Sequence, residues 1–243
     1  MKTMGASHAG RVRPNNQDAY VCGMLTETTA FAVVCDGMGG ANGGNVASAI
    51  AMRCIADKLV DEYRENATED AVKQLLESAV CSANAAVFAA AMEDDSLRGM
   101  GTTAVVAIAN EHQLYVSHVG DSRAYIVTHD TIEQITSDHS VVQDMVEKGQ
   151  ITLEEAKFHP QKHFLTKALG VENEMDCSFI SLPFPQDSTL LLCTDGLSNM
   201  VEPEMLQSLT RTFPFEEISQ KLINTANLAG GSDNITVVAV TNK

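Results

Sequence analysis

The sequence predicts an α+β fold, a four-layer αββα sandwich in which two antiparallel sheets pack face to face with helices outside. Two observations favour this fold. The predicted elements follow the order strands, paired helices, strands, helix, strand. From residue 102 onward, successive strands are typical of an antiparallel meander. Helices grouped between runs of antiparallel strands fit a sandwich better than a parallel, doubly wound sheet.

The N-terminal half predicts strands followed by two long helices. A short first strand precedes apolar runs at residues 19–23 and 29–35, and each run predicts a further strand. Apolar residues at helical spacing then predict the helices. The first has its apolar face at Ala47, Ile50, Ala51, Cys54 and Ile55, and the second at Val72, Leu75, Leu76, Ala79, Ala83, Ala86, Val87 and Ala90. Thr68 is the expected N-cap of the second helix.

The C-terminal half predicts mainly strands. Residues 104–109, 113–119 and 122–127 predict a three-stranded antiparallel meander. The later predicted elements are strands at 177–182, 189–193 and 235–240 and a helix at about 215–229.

A polar segment at about 137–170 interrupts these strands. It carries two short predicted helices, near 141–148 and 153–157, and we expect it to run over the surface. Its histidines are expected to be structural or solvent-facing rather than catalytic. They are His139, His159 and His163.

Length and composition predict one domain that spans residues 1–243. The chain has no linker rich in proline or serine, and 44% of its residues are hydrophobic, which suffices for a sizeable core. The formal net charge of −16 argues against a nucleic-acid partner or an anionic membrane surface, because either needs clustered Lys and Arg. An acidic surface either keeps a protein soluble or concentrates divalent cations, and composition leaves both interpretations open.

Cysteine usage and hydropathy indicate the compartment. The six cysteines include no C-x-x-C pair and mostly lie in apolar runs, so we expect buried thiols in a reducing compartment. The N-terminus has no apolar h-region, and the longest uninterrupted apolar stretch, 85–92, is shorter than the ~18 residues of a membrane span. The sequence therefore predicts a cytoplasmic protein with no membrane span.

Four aspartates stand at the ends of predicted core strands. Asp36 and Asp195 each open an Asp-Gly pair directly after an apolar run, Asp121 follows a strand, and Asp233 precedes the last one. A single Asp-Gly pair is usually only a turn, because Asp bonds its own backbone and Gly accepts positive φ. Several carboxylates that converge on one cleft repel one another unless cations neutralise them. The set therefore predicts a site for hard divalent metals.

The glycine-rich stretch at 37–44 does not fit a nucleotide-binding loop. The pattern G-x-G-x-x-G fails at Asn42, and a P-loop would need Gly-Lys-Ser/Thr at 44–46. Arg13, close before a predicted strand, has the forked guanidinium that suits bidentate binding of a tetrahedral phosphate. On its own, Arg13 would be interpreted as an ordinary surface arginine.

Together these segments resemble the metal-dependent protein phosphatases of the PP2C (PPM) type, most of all the compact bacterial members. The resemblance covers nearly the whole chain. It rests on R-P-N-N-Q-D at 13–18, D-G-M-G-G at 36–40, M-G-T-T at 100–103, V-G-D-S-R at 119–123, T-S-D-H at 136–139, T-D-G at 194–196 and G-S-D-N at 231–234, in family order and spacing. It implies a protein serine/threonine phosphatase with two metal ions, Mn²⁺ or Mg²⁺, in its core site.

The resemblance also implies the ligands of that centre. Asp36 would bridge both ions, with Asp195 and Asp233 on one ion and the carbonyl of Gly37 on the other. Asp121 would join Asp195 in a third, weaker metal site. The segment at 137–170 would be the mobile flap beside the active site.

Two further residues would act on water and substrate. By the same resemblance, Asp18 would orient metal-bound water and Arg13 would bind the substrate phosphate. The chain departs from the family at Ala41 and Asn42, because many members carry a histidine there that is proposed to protonate the leaving alkoxide. Water on a metal is the alternative proton source.

Two functional hypotheses follow. The leading one is hydrolysis of phosphoserine and phosphothreonine on proteins by attack of metal-bridging water, in opposition to a bacterial Ser/Thr kinase. The alternative is a catalytically weak regulatory module that binds phosphoproteins or metal through the same cleft. The full set of metal aspartates favours the enzyme, whereas Ala41 favours the alternative. We expect a monomer whose partners are phosphorylated proteins and a cognate kinase system.

Overall fold

Two antiparallel β-sheets form the middle of the molecule in a computed structural model, which describes residues 1–242 apart from the side chains of residues 40–42. The strands are β1 (Lys2–His8), β2 (Asp18–Met24), β3 (Ala30–Met38), β4 (Gly101–Thr102), β5 (Ala104–Ala109), β6 (Gln113–Val119), β7 (Arg123–Val127), β8 (Ile132–Gln134), β9 (Ser178–Pro183), β10 (Thr189–Cys193) and β11 (Ile235–Thr241). The first sheet has the order β1-β11-β10-β7-β8. The second has the order β2-β3-β5-β6-β9, with β4 paired to β3.

Helices cover the outer faces of both sheets. They are α1 (Gly40–Glu62), α2 (Glu69–Glu93), α3 (Val141–Glu147), α4 (Leu153–Phe158), α5 (Asp195–Ser198), α6 (Pro203–Thr212) and α7 (Phe215–Leu228). Helices α1 and α2 pack on the second sheet, and α6 and α7 pack on the first. The predicted αββα sandwich is confirmed. The sequence prediction lacked α5 and α6, although α6 has a proline in its first turn.

Each central strand contributes to two apolar layers, because both of its faces are buried. In β3, Phe31, Val33 and Cys35 pack with α1 and α2, whereas Ala30, Ala32 and Val34 lie between the sheets. In β10, Leu190 and Leu192 lie between the sheets, while Leu191 and Cys193 pack towards α7. Burial on both faces explains why residues 30–35 of β3 and 190–193 of β10 are continuously apolar.

The third strand of the predicted meander lies in the other sheet. Strands β5 and β6 pair as predicted, but β6 pairs next with β9, while β7 pairs with β10 and β8. The chain changes sheet at Gly120, whose φ of 100° lies in the left-handed region. The meander prediction is wrong for β7 because an apolar pattern shows which faces are buried but not which strand is the neighbour.

Helix α2 is long and apolar enough, by length and composition alone, to cross a membrane, and it is the one such helix among the described residues. One face of it packs in the interior, with Val72, Leu76 and Val87 buried in the layer beneath α1. The Thr68 side chain accepts a hydrogen bond from the Ala71 N–H, which confirms the predicted N-cap. The burial of α2 is that of a core helix.

The segment at 137–170 is tied to the sandwich at both ends. Near its start, the His139 N–H donates to the Gly120 carbonyl at 2.9 Å. Near its end, Leu169 and Thr102 exchange two backbone hydrogen bonds, of 2.8 and 3.1 Å. Both attachments are next to strand ends that carry candidate site residues.

The cysteine side chains differ in exposure. Cys35 and Cys193 are buried, as expected, whereas Cys81 is exposed on α2, so the expectation of a buried thiol is wrong at that position. Its side chain lies on the outer side of the helix, because the helix turns one face away from the core. All six cysteines are free thiols.

Candidate active site

The candidate site lies where strands of both sheets end. Asp18 and Asp36 stand directly opposite each other in the register of β2 and β3. Asp195 starts α5 immediately after β10, and Asp233 lies just before β11, the neighbour of β10. Asp121 follows β6 at the change of sheet. The structure therefore brings the five predicted aspartates together.

The carboxyl groups oppose one another's ionisation. Burial, followed by the charges of the other four aspartates, raises the pKa of Asp36 well above its ordinary value. Burial and the charge of Asp233 raise the pKa of Asp195, while His163 and a hydrogen bond with Asp36 lower it. Burial, and then the charge of Asp195, raises the pKa of Asp121 to about 7. Added positive charge would relieve all of these costs.

Two threonines of the first sheet hold Asp18, which belongs to the second. Thr194 and Thr236 donate their hydroxyl hydrogens to Asp18 Oδ2 at 2.9 and 2.7 Å. Burial raises the pKa of Asp18 to about 7, although both hydrogen bonds lower it. Asp18 Oδ1 is buried and has no hydrogen-bond partner among the described residues. This oxygen is free to accept a hydrogen bond from a water in the cleft.

Two threonines, Thr102 and Thr103, fix the backbone of Asp36 by hydrogen bonds. They lie where the end of the segment at 137–170 is attached to the sandwich. The Asp36 N–H donates to Thr103 Oγ1 at 2.9 Å, and the Asp36 carbonyl accepts from the Thr103 N–H and from Thr102 Oγ1, both at 2.8 Å. Thr103 Oγ1 also lies 2.7 Å from Ser122 Oγ, next to Asp121. The positions of Asp36 and Asp121 are therefore mechanically linked.

Gly37 must be glycine because other backbone segments approach it closely. A Cβ at this position would collide with the carbonyl oxygens of Gly44 and Gln17. Gly196 is restricted in the same way by the Asn234 carbonyl. The Asp-Gly pairs at both strand ends thus allow close backbone packing beside each carboxylate.

Asn234 fastens the loop between β1 and β2. Its Nδ2 group donates to the carbonyls of Ala9 and Asn15, each at 2.9 Å. The loop carries Arg13, whose Nη2 is 2.8 Å from Asp233 Oδ2. The Arg13 side chain is 53% exposed, so this ion pair is weak enough to be exchanged for a substrate oxyanion.

The donor set fits hard divalent cations. Its candidate ligands are carboxylate and carbonyl oxygens, which suit Mg²⁺ and Mn²⁺ better than Zn²⁺. The raised pKa of Asp36 indicates a carboxyl group that a cation would stabilise. Asp18 Oδ1, which has no hydrogen-bond partner among the described residues, can likewise accept a contact from a ligand. Within the described part of the chain, no three Asp, Glu, His or Cys side chains are grouped closely enough to hold a metal ion by themselves. Carboxylates that repel one another stay apart without a metal, and Mg²⁺ usually keeps several waters as ligands. Both facts are consistent with an open arrangement of the aspartates.

An ion pair and a pair of stacked histidines lie at the start of the segment at 137–170. Arg123 binds Asp138 in a bidentate contact, with Nη2 2.7 Å from Oδ2 and Nε 2.9 Å from Oδ1. The rings of His118 and His139 stack at 4.6 Å between centroids. Burial and the neighbouring His118 lower the pKa of His139 to about 4. His139 is therefore structural, as expected, and His159 and His163 are partly and fully exposed, respectively.

Sequence reasoning did not identify the residues that position the cluster. Thr194 and Asn234 lie inside the quoted motifs T-D-G and G-S-D-N, which were the only signal for them. Thr236 had no such signal, because its role depends on the approach of β2 to β11. The departure at Ala41 lies outside the described side chains.

Comparisons with known proteins agree with this geometry. The family model described as Protein phosphatase 2C matches residues 4–232. The serine/threonine phosphatase stp of Listeria innocua is 38% identical, over 95% of this chain and 92% of its own. The crystal structure of Stp1 from Staphylococcus aureus matches with a TM-score of 0.92 at 31% identity, over 99% of this chain and 94% of that one. The PstP catalytic domain, solved with 2 manganese ions, matches with a TM-score of 0.86 at 32% identity, over 98% and 96% of the two chains.

Proposed function

The chain belongs to the protein phosphatase 2C family, and from that premise we propose that its five clustered aspartates serve a two-metal centre. The protein is a serine/threonine phosphatase of this family, and none of the relatives it matches favours the regulatory alternative. The observation that carries the metal proposal is the convergence of carboxyl groups whose pKa values are raised by burial and by one another. Manganese in the related PstP structure supports it.

The proposed ligands are those that the resemblance to the family implies. The two ions would be held by Asp36, which would contribute to both, by Asp195 and Asp233 on one side, and by the Gly37 carbonyl on the other. Asp121 and Asp195 form a weaker third site. When bound, the divalent cations supply a water of lowered pKa and neutralise charge on the transferring phosphoryl group. Mn²⁺ or Mg²⁺ suits the oxygen ligands.

Two residues act on water and substrate in this proposal. Asp18 is held through Oδ2 by two hydroxyls, so its free Oδ1 can orient the attacking water. Arg13 exchanges its exposed contact with Asp233 for the substrate phosphate. A fixed hydrogen-bond acceptor and a forked cation together align the water and phosphorus for in-line attack.

Phosphate release tests the metal and the substrate class together. The chelator-treated protein is assayed with p-nitrophenyl phosphate and with phosphothreonine peptides, with and without Mn²⁺ or Mg²⁺. We expect hydrolysis of both substrates only with added metal. Turnover in the presence of excess chelator would contradict the metal proposal, and turnover of p-nitrophenyl phosphate alone would contradict the peptide substrate.

The cellular setting is also a proposal. We infer a cytoplasmic monomer that opposes a Ser/Thr kinase, and the name serine/threonine phosphatase carried by relatives supports the link to such a kinase. Light scattering should give a mass near 26.1 kDa for a monomer. Deletion of the phosphatase should raise phosphothreonine on the kinase's substrates, and an unchanged phosphoprotein pattern would contradict the assignment.

A further inference from the structure

A shallow pocket of about 410 Å³ lies between the end of β1 and the last turns of α7. It is lined by His8, Arg11, Asn224, Asn227 and Leu228. The Arg11 N–H donates to the Gly231 carbonyl at 2.7 Å, two residues before Asp233. The loop that carries Arg13 to the active site therefore also forms a wall of this pocket.

The polar side chains of the pocket offer unused hydrogen-bond donors. The guanidinium of Arg11 makes no ion pair or hydrogen bond within the described residues, and the side chain is exposed. Asn224 Oδ1 accepts from Gln220 Nε2 at 3.0 Å, which leaves the Asn224 amide N–H groups to donate.

The protonation pattern of His8 adds a third donor. His8 Nδ1 accepts the Gly10 N–H at 2.9 Å, and Asn227 Nδ2 lies 3.4 Å from the same nitrogen. Both contacts place the proton of a neutral ring on Nε2. The pocket thus presents N–H groups from an arginine, a histidine and an asparagine.

The charge of the pocket is opposite to that of the molecule. The chain carries a formal net charge of −16, yet none of the described lining residues is acidic. Several donors and a cation in a lining without an acidic residue select an oxyanion. We propose that the pocket is a subsite for an oxyanion of the substrate, namely the carboxylate or phosphate of a residue near the one that is dephosphorylated.

The separation of Arg11 and Arg13 along the loop fits such a substrate. This step rests on the proposed function. Arg11 and Arg13 are two residues apart, so their Cα atoms are separated by at most ~7 Å. Alternate residues of an extended peptide have about the same separation and point to the same side. When Arg13 holds the target phosphate, Arg11 reaches an acidic side chain two positions away.

Paired phosphothreonine peptides test this subsite. One peptide carries Glu two residues before and two residues after the phosphothreonine, and its partner carries Gln at both positions. The wild-type protein should favour the Glu peptide by about two- to fivefold in kcat/KM, the range of one exposed ion pair. Arg11→Ala should reduce the ratio to about one, and Arg11→Glu should invert it.

Arg53→Ala is the matched control, because Arg53 is exposed on α1 and its loss changes the net charge equally. This variant should keep the wild-type ratio. An equal loss in both arginine variants would mean that general charge sets the preference, and no preference in the wild-type protein would overturn the subsite. If Arg11→Ala alters inhibition by free inorganic phosphate but not the peptide ratio, the pocket takes a free anion and the substrate proposal fails. Absence of turnover on every substrate would instead reject the proposed function.

Discussion

At the scale of single residues, Asp36 is a buried acid whose ionisation the other four aspartates oppose. Its carboxyl group faces Asp18 directly across the strand pair, and like charges in that position destabilise a sheet. Its backbone is nevertheless held by three hydrogen bonds to Thr102 and Thr103. The fold therefore keeps Asp36 in place against repulsion, which is the arrangement expected for a group whose partner is a bound cation.

Asp36→Asn should remove nearly all phosphatase activity. The amide is uncharged and a poorer bridging ligand, and several kcal/mol of charge stabilisation correspond to a loss of ~10²-fold or more in kcat. The measurement is the rate of p-nitrophenyl phosphate hydrolysis at saturating Mn²⁺. Asp57→Asn, an equal change of charge at an exposed position of α1, is the control and should retain activity. Wild-type turnover in Asp36→Asn would show that this residue does not bridge two metals.

Arg13→Ala should weaken phosphopeptide turnover by about 1–3 kcal/mol in kcat/KM, because a charge-assisted contact to phosphate is lost. Arg13→Lys keeps the charge but not the fork, and we expect an intermediate loss. Steady-state kinetics on one phosphopeptide give both values. Unchanged kinetics in the alanine variant would return Arg13 to the role of a surface residue.

At the scale of elements, the site depends on the change of sheet between β6 and β7. The turn places Asp121 next to Ser122, whose hydroxyl meets Thr103 at 2.7 Å. The His139 N–H and the Gly120 carbonyl connect the same turn to the flap. One short segment therefore links both sheets, the flap and the acidic cluster.

Gly120→Ala should destabilise the protein and reduce its activity. A Cβ would meet the Thr103 side chain, and the φ of 100° strains any other residue by ~1–3 kcal/mol. Gly149→Ala is the control, since that glycine has a φ of 67° but open space around it. Urea unfolding and Mn²⁺-dependent turnover separate the two effects. Equal loss of activity in both variants would mean that the contact with Thr103 has no role.

Sequence alone predicted the strands and helices better than it predicted which strands pair with one another. The strands β3 and β10 were clear because both of their faces are buried and the runs are continuously apolar. The sheet membership of β7 was not predictable, since Gly120 can as well join two strands of one sheet. The aspartates were predicted because they follow those runs. Thr236 and Asn234 act through contacts that exist only after the sheets have packed.

At the scale of the whole molecule, carboxyl groups that repel one another lie together at one end of the sandwich. The carboxyl groups come from both sheets, and burial raises the pKa values of four of them, Asp18, Asp36, Asp121 and Asp195, in the folded state. An acid with a raised folded-state pKa holds its proton more tightly when folded, so it lowers stability once the unfolded chain ionises. For Asp18 and Asp121 this loss develops between pH 3.8 and about 7 and is complete above that range.

In the presence of a chelator, Asp36→Asn should be more stable than the wild-type protein at pH 8. The expected difference is on the order of a few kcal/mol, since the amide removes both the buried charge and its repulsion. The difference should shrink as the pH falls below about 4 and vanish near pH 2, where the carboxyl group is protonated in both states. Urea titrations at several pH values measure it. A difference that grows on acidification would contradict the raised pKa of Asp36.

The position of β11 in the first sheet has a consequence for synthesis on the ribosome. This strand pairs with β1 on one side and β10 on the other, so β1 cannot join the rest of the sheet until residues 235–241 have been made. Thr236, whose hydroxyl donates a hydrogen bond to Asp18, belongs to the same strand. Nascent chains stalled before residue 235 should therefore remain protease-sensitive and inactive, and the enzyme matures in a single late step rather than gradually as it emerges.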